Sequence, residues 1–126
     1  MLAVAEHLDV RSEVIPRIAT GFCSGMARTG GQCGAVSGGT MAIGLAMGRD
    51  APADSVDACY LAVRTFLDRF ATQFQSLTCL ELTGVHLGTP EGQAAFREMG
   101  QINHCYDYVA EATCLVVELV VQPSNT

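Results

Sequence analysis

Residues 21–48 read GFCSGMARTGGQCGAVSGGTMAIGLAMG, a glycine-rich stretch followed by an apolar run of small side chains. Residues 24–32 are predicted to form a loop, because glycine is the residue that most strongly interrupts regular structure. A helix is predicted from residue 33 or 34 to residue 47, since Gly48 supplies a stop signal. Cys33 lies at the junction of loop and helix, where a thiol is well placed for redox or metal chemistry.

Small residues recur at intervals of four along this predicted helix. Gly38 is followed by Ala42 and Ala46, and Ala35 by Gly39, so that one face lets a neighbouring backbone come close. Each internal glycine costs an isolated helix about 1 kcal/mol relative to alanine. Tertiary packing is therefore expected to stabilise the helix.

The rest of the chain also has helical patterns, and the fold predicted is all-α. A length of 126 residues with 49% hydrophobic content is sufficient for one compact core, so a single domain over residues 1–126 is expected. We expect a bundle of about five to six helices with no significant sheet. Residues 2–8 form a short apolar stretch, and the further helices are predicted at residues 12–21, 54–73, 78–84, 89–100 and 104–121.

Two of these helices have a clear apolar stripe. Asp54 or Ser55 is the predicted cap of the long helix that ends near Gln73, and Asn103 that of the last helix. The stripe of the long helix contains Val56, Cys59, Val63, Phe66, Phe70 and Phe74, and that of the last contains Cys105, Val109, Ala112, Val116 and Leu119.

The charge of the chain excludes several classes of function. Thirteen acidic residues against seven basic ones give a net charge of −6, which argues against binding of DNA or RNA. No apolar run approaches the roughly 20 residues of a membrane-spanning helix, so the chain is expected not to be inserted in a membrane. The N-terminus has no basic leader, and a cytoplasmic location is therefore expected.

Six cysteines, at positions 23, 33, 59, 79, 105 and 114, are the main chemical signal. In a half-apolar chain of a reducing compartment they indicate redox or metal use rather than a disulfide framework. No CxxC pair is present, which excludes a zinc ribbon and a thioredoxin motif. Any shared site must therefore be assembled in three dimensions.

Three of the thiols, those of Cys33, Cys79 and Cys105, lie at the starts of predicted helices. The unpaired N–H groups and partial positive charge of a helix start stabilise a thiolate. We therefore hypothesise that these three helix starts converge on one site. Cys59 and Cys114 are interpreted as packing residues, and Cys23 is a candidate resolving thiol.

The arrangement of motifs around these cysteines resembles a known family. The chain contains CGAVSG at residues 33–38, preceded by Gly-Phe and Gly-Met pairs, then Cys79 with ELTG at residues 81–84, TPEG at residues 89–92, and Cys105. It resembles the small bacterial and archaeal redox-active proteins that are named for a C…CGAxxG…C…C cysteine signature. The resemblance implies an all-α domain and a redox role, and the motif glycines Gly34 and Gly38 are the expected contacts of a cofactor.

One feature departs from the family pattern. The family's first cysteine normally precedes a segment similar to residues 2–8, and here three of the four signature cysteines are present. Either the start of the chain is shortened, or Cys23 substitutes, or the site works with three thiols. Ligation of an iron–sulfur cluster is the function most affected, since a cluster typically takes four protein ligands.

Three functions are consistent with these residues. In the first, Cys33 is the nucleophile of a reversible thiol/disulfide or electron-transfer reaction, Cys79 or Cys105 is the resolving thiol, and the partner is a redox protein. In the second, Cys33, Cys79 and Cys105 bind an iron–sulfur cluster or a metal ion. In the third, the chain is a non-enzymatic interaction module that forms a homodimer through the small-residue helix.

Overall fold

The computed structural model describes residues 1–121, and seven α-helices and one 3₁₀ helix form within that range. The predicted all-α class is confirmed. The described residues contain no strand, only an isolated antiparallel bridge between Gln32 and Thr78, called here the 32–78 bridge. The elements are α1 (Leu2–His7), the 3₁₀ helix (Arg17–Phe22), α2 (Cys23–Arg28), α3 (Gly34–Met47), α4 (Asp57–Phe74), α5 (Cys79–Thr83), α6 (Pro90–Glu98) and α7 (Ile102–Val121).

Helices α3, α4 and α7 pack against one another and form the core, which α1 covers. Val36 and Ile43 of α3, Phe66 and Phe70 of α4 and Val116 of α7 are 0% exposed. Burial of each such side chain stabilises the fold by about 1.5–3 kcal/mol. None of the helices in residues 1–121 is both long enough and apolar enough to cross a membrane.

The apolar stripe predicted for α4 is confirmed at its aromatic positions. The Phe66 and Phe70 rings are buried, and the ring of Phe74 lies 4.8 Å, centroid to centroid, from that of Tyr108 on α7. The helix begins at Asp57, slightly later than predicted, because the Ser55 hydroxyl accepts the Asp57 N–H at 3.2 Å in a turn before the helix.

The start and the buried face of α7 differ from the prediction. The helix begins at Ile102, so Asn103 lies inside it and is not its cap. Gly100 has a positive φ of 62°, which ends the preceding turn and lets α7 begin two residues early. Val109, predicted on the core face, is 53% exposed, and Tyr108 is buried there instead at 9%. The face is rotated because Tyr108 packs on the phenylalanines of α4.

The helix predicted over residues 12–21 is wrong. Residues 13–16 form a turn, and a 3₁₀ helix follows from Arg17 to Phe22 with Pro16 at its N-cap. Proline has no N–H, so an α-helix that started at Ser12 would lose the hydrogen bond from residue 16. The chain therefore makes a tighter helix only after the proline.

Residues 24–28, predicted as part of a loop, form a left-handed turn. All five have positive φ, between 54° and 67°, and only Gly25 among them lacks a Cβ. A left-handed conformation costs about 1–2 kcal/mol for each residue with a side chain. The turn is held by the Gly31 N–H, which donates to the Gly25 carbonyl at 2.9 Å, and by the Thr29 hydroxyl, which donates to the Met26 carbonyl at 2.8 Å.

The small-residue face of α3 is used inside the chain. Gly39 faces the Phe66 ring so closely that a Cβ at this position would overlap the ring. The close approach predicted from the spacing is therefore that of an aromatic ring rather than of a backbone. A homodimer stays a prediction, and it would need a surface other than this face.

We predict that Gly39→Ala lowers the free energy of unfolding by about 1–3 kcal/mol, because the added methyl overpacks the core against Phe66. Gly44→Ala is the matched control, since a Cβ at Gly44 meets no atom within 4 Å, and it should stabilise the helix by about 0.5–1 kcal/mol. Urea unfolding of both variants measures the difference. Equal stability of Gly39→Ala and the unchanged protein would contradict this packing.

Candidate functional site

The candidate site is a cavity of about 490 Å³ lined by residues from α2, α3, α5, α6 and α7. Four cysteines contribute to its wall: Cys23, Cys33, Cys79 and Cys105. They come from four segments of the chain, three of which are the predicted helix starts. The cavity is the feature that brings the sequence-predicted thiols together.

The two remaining cysteines lie outside this cavity. Cys59 is partly buried on α4 and packs against the core, as its place on the apolar stripe predicts. Cys114 is exposed on α7, so it is a surface thiol rather than the packing residue expected. All six cysteines lie within residues 1–121, and each is a free thiol in the structure.

The 32–78 bridge positions two of the four thiols. The N–H of Cys33 donates to the carbonyl of Leu77 at 2.8 Å, and the N–H of Cys79 donates to the carbonyl of Gly31 at 2.7 Å. Each cysteine is one residue beyond the bridged pair, and side chains alternate along extended backbone. Cys33 and Cys79 therefore lie on the same side of the bridge.

The bridge leads directly into two helix starts. Cys33 is the N-cap of α3. The Thr78 hydroxyl accepts the N–H of Glu81 at 3.3 Å, so Thr78 is the N-cap of α5 and Cys79 is its first residue. Cys105 lies in the first turn of α7. The prediction that thiols open helices is confirmed for Cys33 and Cys79, whereas Cys105 is the fourth residue of α7 and its N–H already donates to the carbonyl of Gln101 at 3.2 Å.

Polar and glycine residues of the CGAVSG motif shape this junction. The buried Ser37 hydroxyl donates to the side-chain oxygen of Gln32 at 2.8 Å, which fixes the residue that forms the bridge. Gly34 and Gly38, the expected cofactor contacts, both line the cavity. A Cβ on Gly34 would lie 3.3 Å from the carbonyl oxygen of Phe22, so this glycine also lets the end of the 3₁₀ helix approach α3.

The left-handed turn forms the wall beside Cys79. Gly25 is buried and has a φ of +66°, and a Cβ at this position would overlap the side chain of Cys79. Residues in sparsely populated backbone regions often occur at functional sites. Here the left-handed turn makes room for a thiol that a right-handed segment with side chains would cover.

The pKa of Cys33 is raised above its ordinary value, which corrects the expectation of an activated thiolate. Burial is the main cause, since the thiolate loses hydration in the cavity. The backbone N–H groups of Ala35 and Val36 lower the pKa, as expected of a helix start, but they do not offset burial. The helix start thus lowers the pKa of Cys33, but desolvation of the thiolate raises it by more.

The other two buried thiols are also held in the protonated form. Burial raises the pKa of Cys79, the charge on Cys33 raises it further, and a hydrogen bond from the Thr83 hydroxyl lowers it. Burial raises the pKa of Cys105 to about 11, with added repulsion from Cys33 and then Cys79. Burial is therefore the main cause of both raised pKa values, and a negative charge on Cys33 adds to it.

Three residues of the cavity were not predicted from the sequence. Tyr108 is one helical turn beyond Cys105, and this i, i+3 spacing is the signal that places it at the thiols. Its hydroxyl donates to the carbonyl of Leu82 at 3.1 Å, and burial, followed by the charge on Cys105, raises its pKa. Arg28 and Arg97 also line the cavity, and no sequence spacing connects them.

A metal site needs several His, Cys, Asp or Glu side chains close together. Between residues 1 and 121, no three His, Cys, Asp or Glu side chains are grouped closely enough to hold a metal ion. A cluster typically takes four protein thiolates. The thiols of residues 1–121 are therefore not grouped as a preformed metal or cluster site, and the second hypothesis stays a prediction.

Comparison with known proteins agrees with the resemblance seen in the sequence. A family model described as "Putative redox-active protein (C_GCAxxG_C_C)" matches residues 1–119. No curated protein and no solved structure matches the chain. The matched range includes all four cysteines of the cavity. The chain belongs to the C_GCAxxG_C_C family of redox-active proteins.

Proposed function

We propose that this protein carries out reversible thiol/disulfide exchange, with Cys33 as the attacking thiol and Cys79 as the resolving thiol. The observation that supports this pair is the 32–78 bridge, which holds both cysteines on one side of a short backbone pairing and at one cavity. Cys33 and Cys79 are diagonal neighbours across this pairing, and diagonal Cα atoms in a regular antiparallel ladder lie about 7–8 Å apart. A disulfide requires about 4.4–6.8 Å, so we propose that a local backbone shift at the two helix starts closes the bond.

The two roles follow from access to the thiols. Cys33 is partly exposed at the cavity, so an incoming disulfide can reach its sulfur. Cys79 is only 8% exposed and lies behind the left-handed turn, which suits a thiol that reacts with its neighbour rather than with substrate. The attacking thiol and the resolving thiol are thus separated by burial.

The reaction has two balanced steps. The Cys33 thiolate attacks a disulfide R–S–S–R, the Cys33–S–S–R bond forms, and R–S⁻ leaves and takes up a proton. The Cys79 thiolate then attacks Cys33, the Cys33–Cys79 disulfide forms, and a second R–S⁻ leaves. The protein is oxidised by two electrons and the substrate is reduced to two thiols.

Charge repulsion between the thiols orders these steps. A negative charge on Cys33 raises the pKa of Cys79, so the resolving thiol stays protonated while Cys33 is a thiolate. Formation of the mixed disulfide removes that charge, and the pKa of Cys79 falls. Loss of this repulsion favours the resolving thiolate after the first step, while burial, the larger cause of the raised pKa of Cys79, remains.

Cys105 and Cys23 have supporting roles in this scheme. Cys105, with a pKa raised to about 11, remains protonated at neutral pH and is not suited to attack a substrate first. Cys23 is exposed at the cavity, with its thiol 3.8 Å from the carbonyl oxygen of Ala19. Both are alternative partners of Cys33, and peptide mapping distinguishes them from Cys79.

The pairing is tested by mild oxidation of the reduced protein with one equivalent of diamide, followed by peptide mapping. We predict a disulfide between Cys33 and Cys79, lost in Cys33→Ser and in Cys79→Ser and retained in Cys105→Ser. Cys114→Ser is the matched control, because that thiol is exposed outside the cavity.

Other results would change or reject the assignment. A Cys33–Cys105 disulfide would make Cys105 the resolving thiol, and absence of any disulfide at Cys33 would reject thiol/disulfide exchange at this site. Iron or zinc bound stoichiometrically to anaerobically prepared protein, and lost in Cys33→Ser, would favour the metal hypothesis instead.

The raised pKa of Cys33 predicts how its reactivity depends on pH. Only the thiolate is alkylated, and an ordinary thiol has a pKa of about 8.5. The rate of iodoacetamide labelling at Cys33 should therefore keep rising above about pH 8.5, whereas in urea-unfolded protein it should level off nearer that value. Mass spectrometry of quenched samples gives both profiles, and a plateau at neutral pH in the folded protein would show an activated thiolate instead.

Gly25→Ala tests whether the left-handed turn positions Cys79. Its φ is strained for alanine, and its Cβ overlaps Cys79, so the disulfide should form at least about tenfold more slowly, since misplacement by 1 Å can cost about a hundredfold. Gly84→Ala is the matched control, with a φ of +74° and no atom within 4 Å of the added Cβ. It should lose similar stability and keep the rate of disulfide formation, and equal rates in the two variants would contradict the role of Gly25.

A further inference from the structure

The charged side chains at the thiol cavity are of one sign. Arg28 and Arg97 line it, and no Asp or Glu does. The whole chain has 13 acidic residues, seven basic ones and a net charge of −6. The charged side chains that line the cavity are therefore all positive, whereas the net charge of the protein is negative.

Both arginines are free to bind a ligand. Arg28 is exposed at the end of the left-handed turn, and Arg97 is exposed in the last turn of α6. In the described part of the chain, ion pairs form at Arg11 and Arg69, and neither cavity arginine takes part in one. A guanidinium group offers paired N–H donors that match the two oxygens of a carboxylate.

The size and lining of the cavity fit a small organic molecule. Its volume of about 490 Å³ lies in the range of about 300–1,000 Å³ typical of small-molecule sites. Leu82, Leu87 and Phe96 give it an apolar wall beside the thiols. An occupant with an apolar middle and anionic ends would match both the wall and the arginines.

We propose that the cavity binds a low-molecular-weight disulfide that carries carboxylate groups, with Arg28 and Arg97 holding the carboxylates and Cys33 facing the S–S bond. This rests on the proposed function, which it extends by naming the class of substrate. The protein dithiol and the disulfide dicarboxylate give the protein disulfide and two molecules of carboxylate thiol, so that two electrons and two protons pass to the substrate.

The kinetic test uses two disulfides of similar length and opposite charge, 3,3′-dithiodipropionate, a dianion, and cystamine, a dication. We expect the dianion to oxidise the reduced protein at least about tenfold faster at low salt, because charge complementarity raises association rates by about tenfold or more. In the Arg28→Gln/Arg97→Gln double variant this preference should disappear. Arg64→Gln is the matched control, since Arg64 is exposed on α4 and does not line the cavity.

A binding test measures recognition of the carboxylate groups separately from thiol/disulfide exchange. Suberate has the same chain length as dithiodipropionate and no sulfur, so calorimetry with it measures binding without reaction. Suberate should bind the reduced protein, bind Arg64→Gln equally, and fail to bind the double arginine variant. Binding that is absent, or unchanged in the double variant, would overturn the anion site.

The outcomes distinguish this inference from the proposed function. If both disulfides form the Cys33–Cys79 bond at equal rates and the double variant is unaffected, the inference fails and the dithiol function stands. If neither disulfide oxidises Cys33 while suberate binds through the arginines, the dithiol function and the substrate assignment fail together and only the anion site is left.

Discussion

Two backbone hydrogen bonds around the 32–78 bridge are the constraint on which the rest of the site depends. They join the segment before α3 to the segment before α5, and each segment becomes a helix at the next residue. A hydrogen bond of this kind contributes only about 0.5–1.5 kcal/mol net, so the bridge does not hold the fold together. Packing of α3, α4 and α7 does that, and it carries the bridge and Cys105 to one cavity. The bridge then places Cys33 and Cys79 on one side of the pairing, diagonal to each other.

The left-handed turn lets Cys79 line that cavity, and its positive φ values are unfavourable for residues with a side chain. Gly25 lies against the thiol, its carbonyl accepts the Gly31 N–H, and the carbonyl of Gly31 accepts the Cys79 N–H. The turn and the thiol are therefore connected through consecutive hydrogen bonds. Burial at this point raises the thiol pKa values, and the site favours neutral thiols until Cys33 reacts. We therefore propose a dithiol that is shielded at rest and becomes reactive stepwise.

Much of the fold followed from local signals, because helix caps and apolar stripes are short-range patterns. Cys33 and Cys79 lie at helix starts as predicted, since the end of the glycine-rich loop and the Thr78 cap mark these starts without reference to the rest of the chain. The left-handed turn was not predicted, because it exists through contact with Cys79, a distant residue. The direction in which the thiol pKa values shift depends on burial, and the presence of Arg28 and Arg97 at one cavity depends on the tertiary fold. Neither can be read from the spacing of residues in the sequence.

The most direct test of the central claim is a crystal structure of the protein in reduced and oxidised form, with the sulfur atoms located by anomalous scattering. The account predicts that Cys33, Cys79 and Cys105 share one cavity in the reduced form. In the oxidised form we expect the sulfur atoms of Cys33 and Cys79 to be joined by continuous density, with an S–S distance of about 2.05 Å. The 32–78 bridge should remain intact. Sulfur atoms of Cys33 and Cys79 on opposite sides of the bridge, or a bridge that is absent, would contradict it.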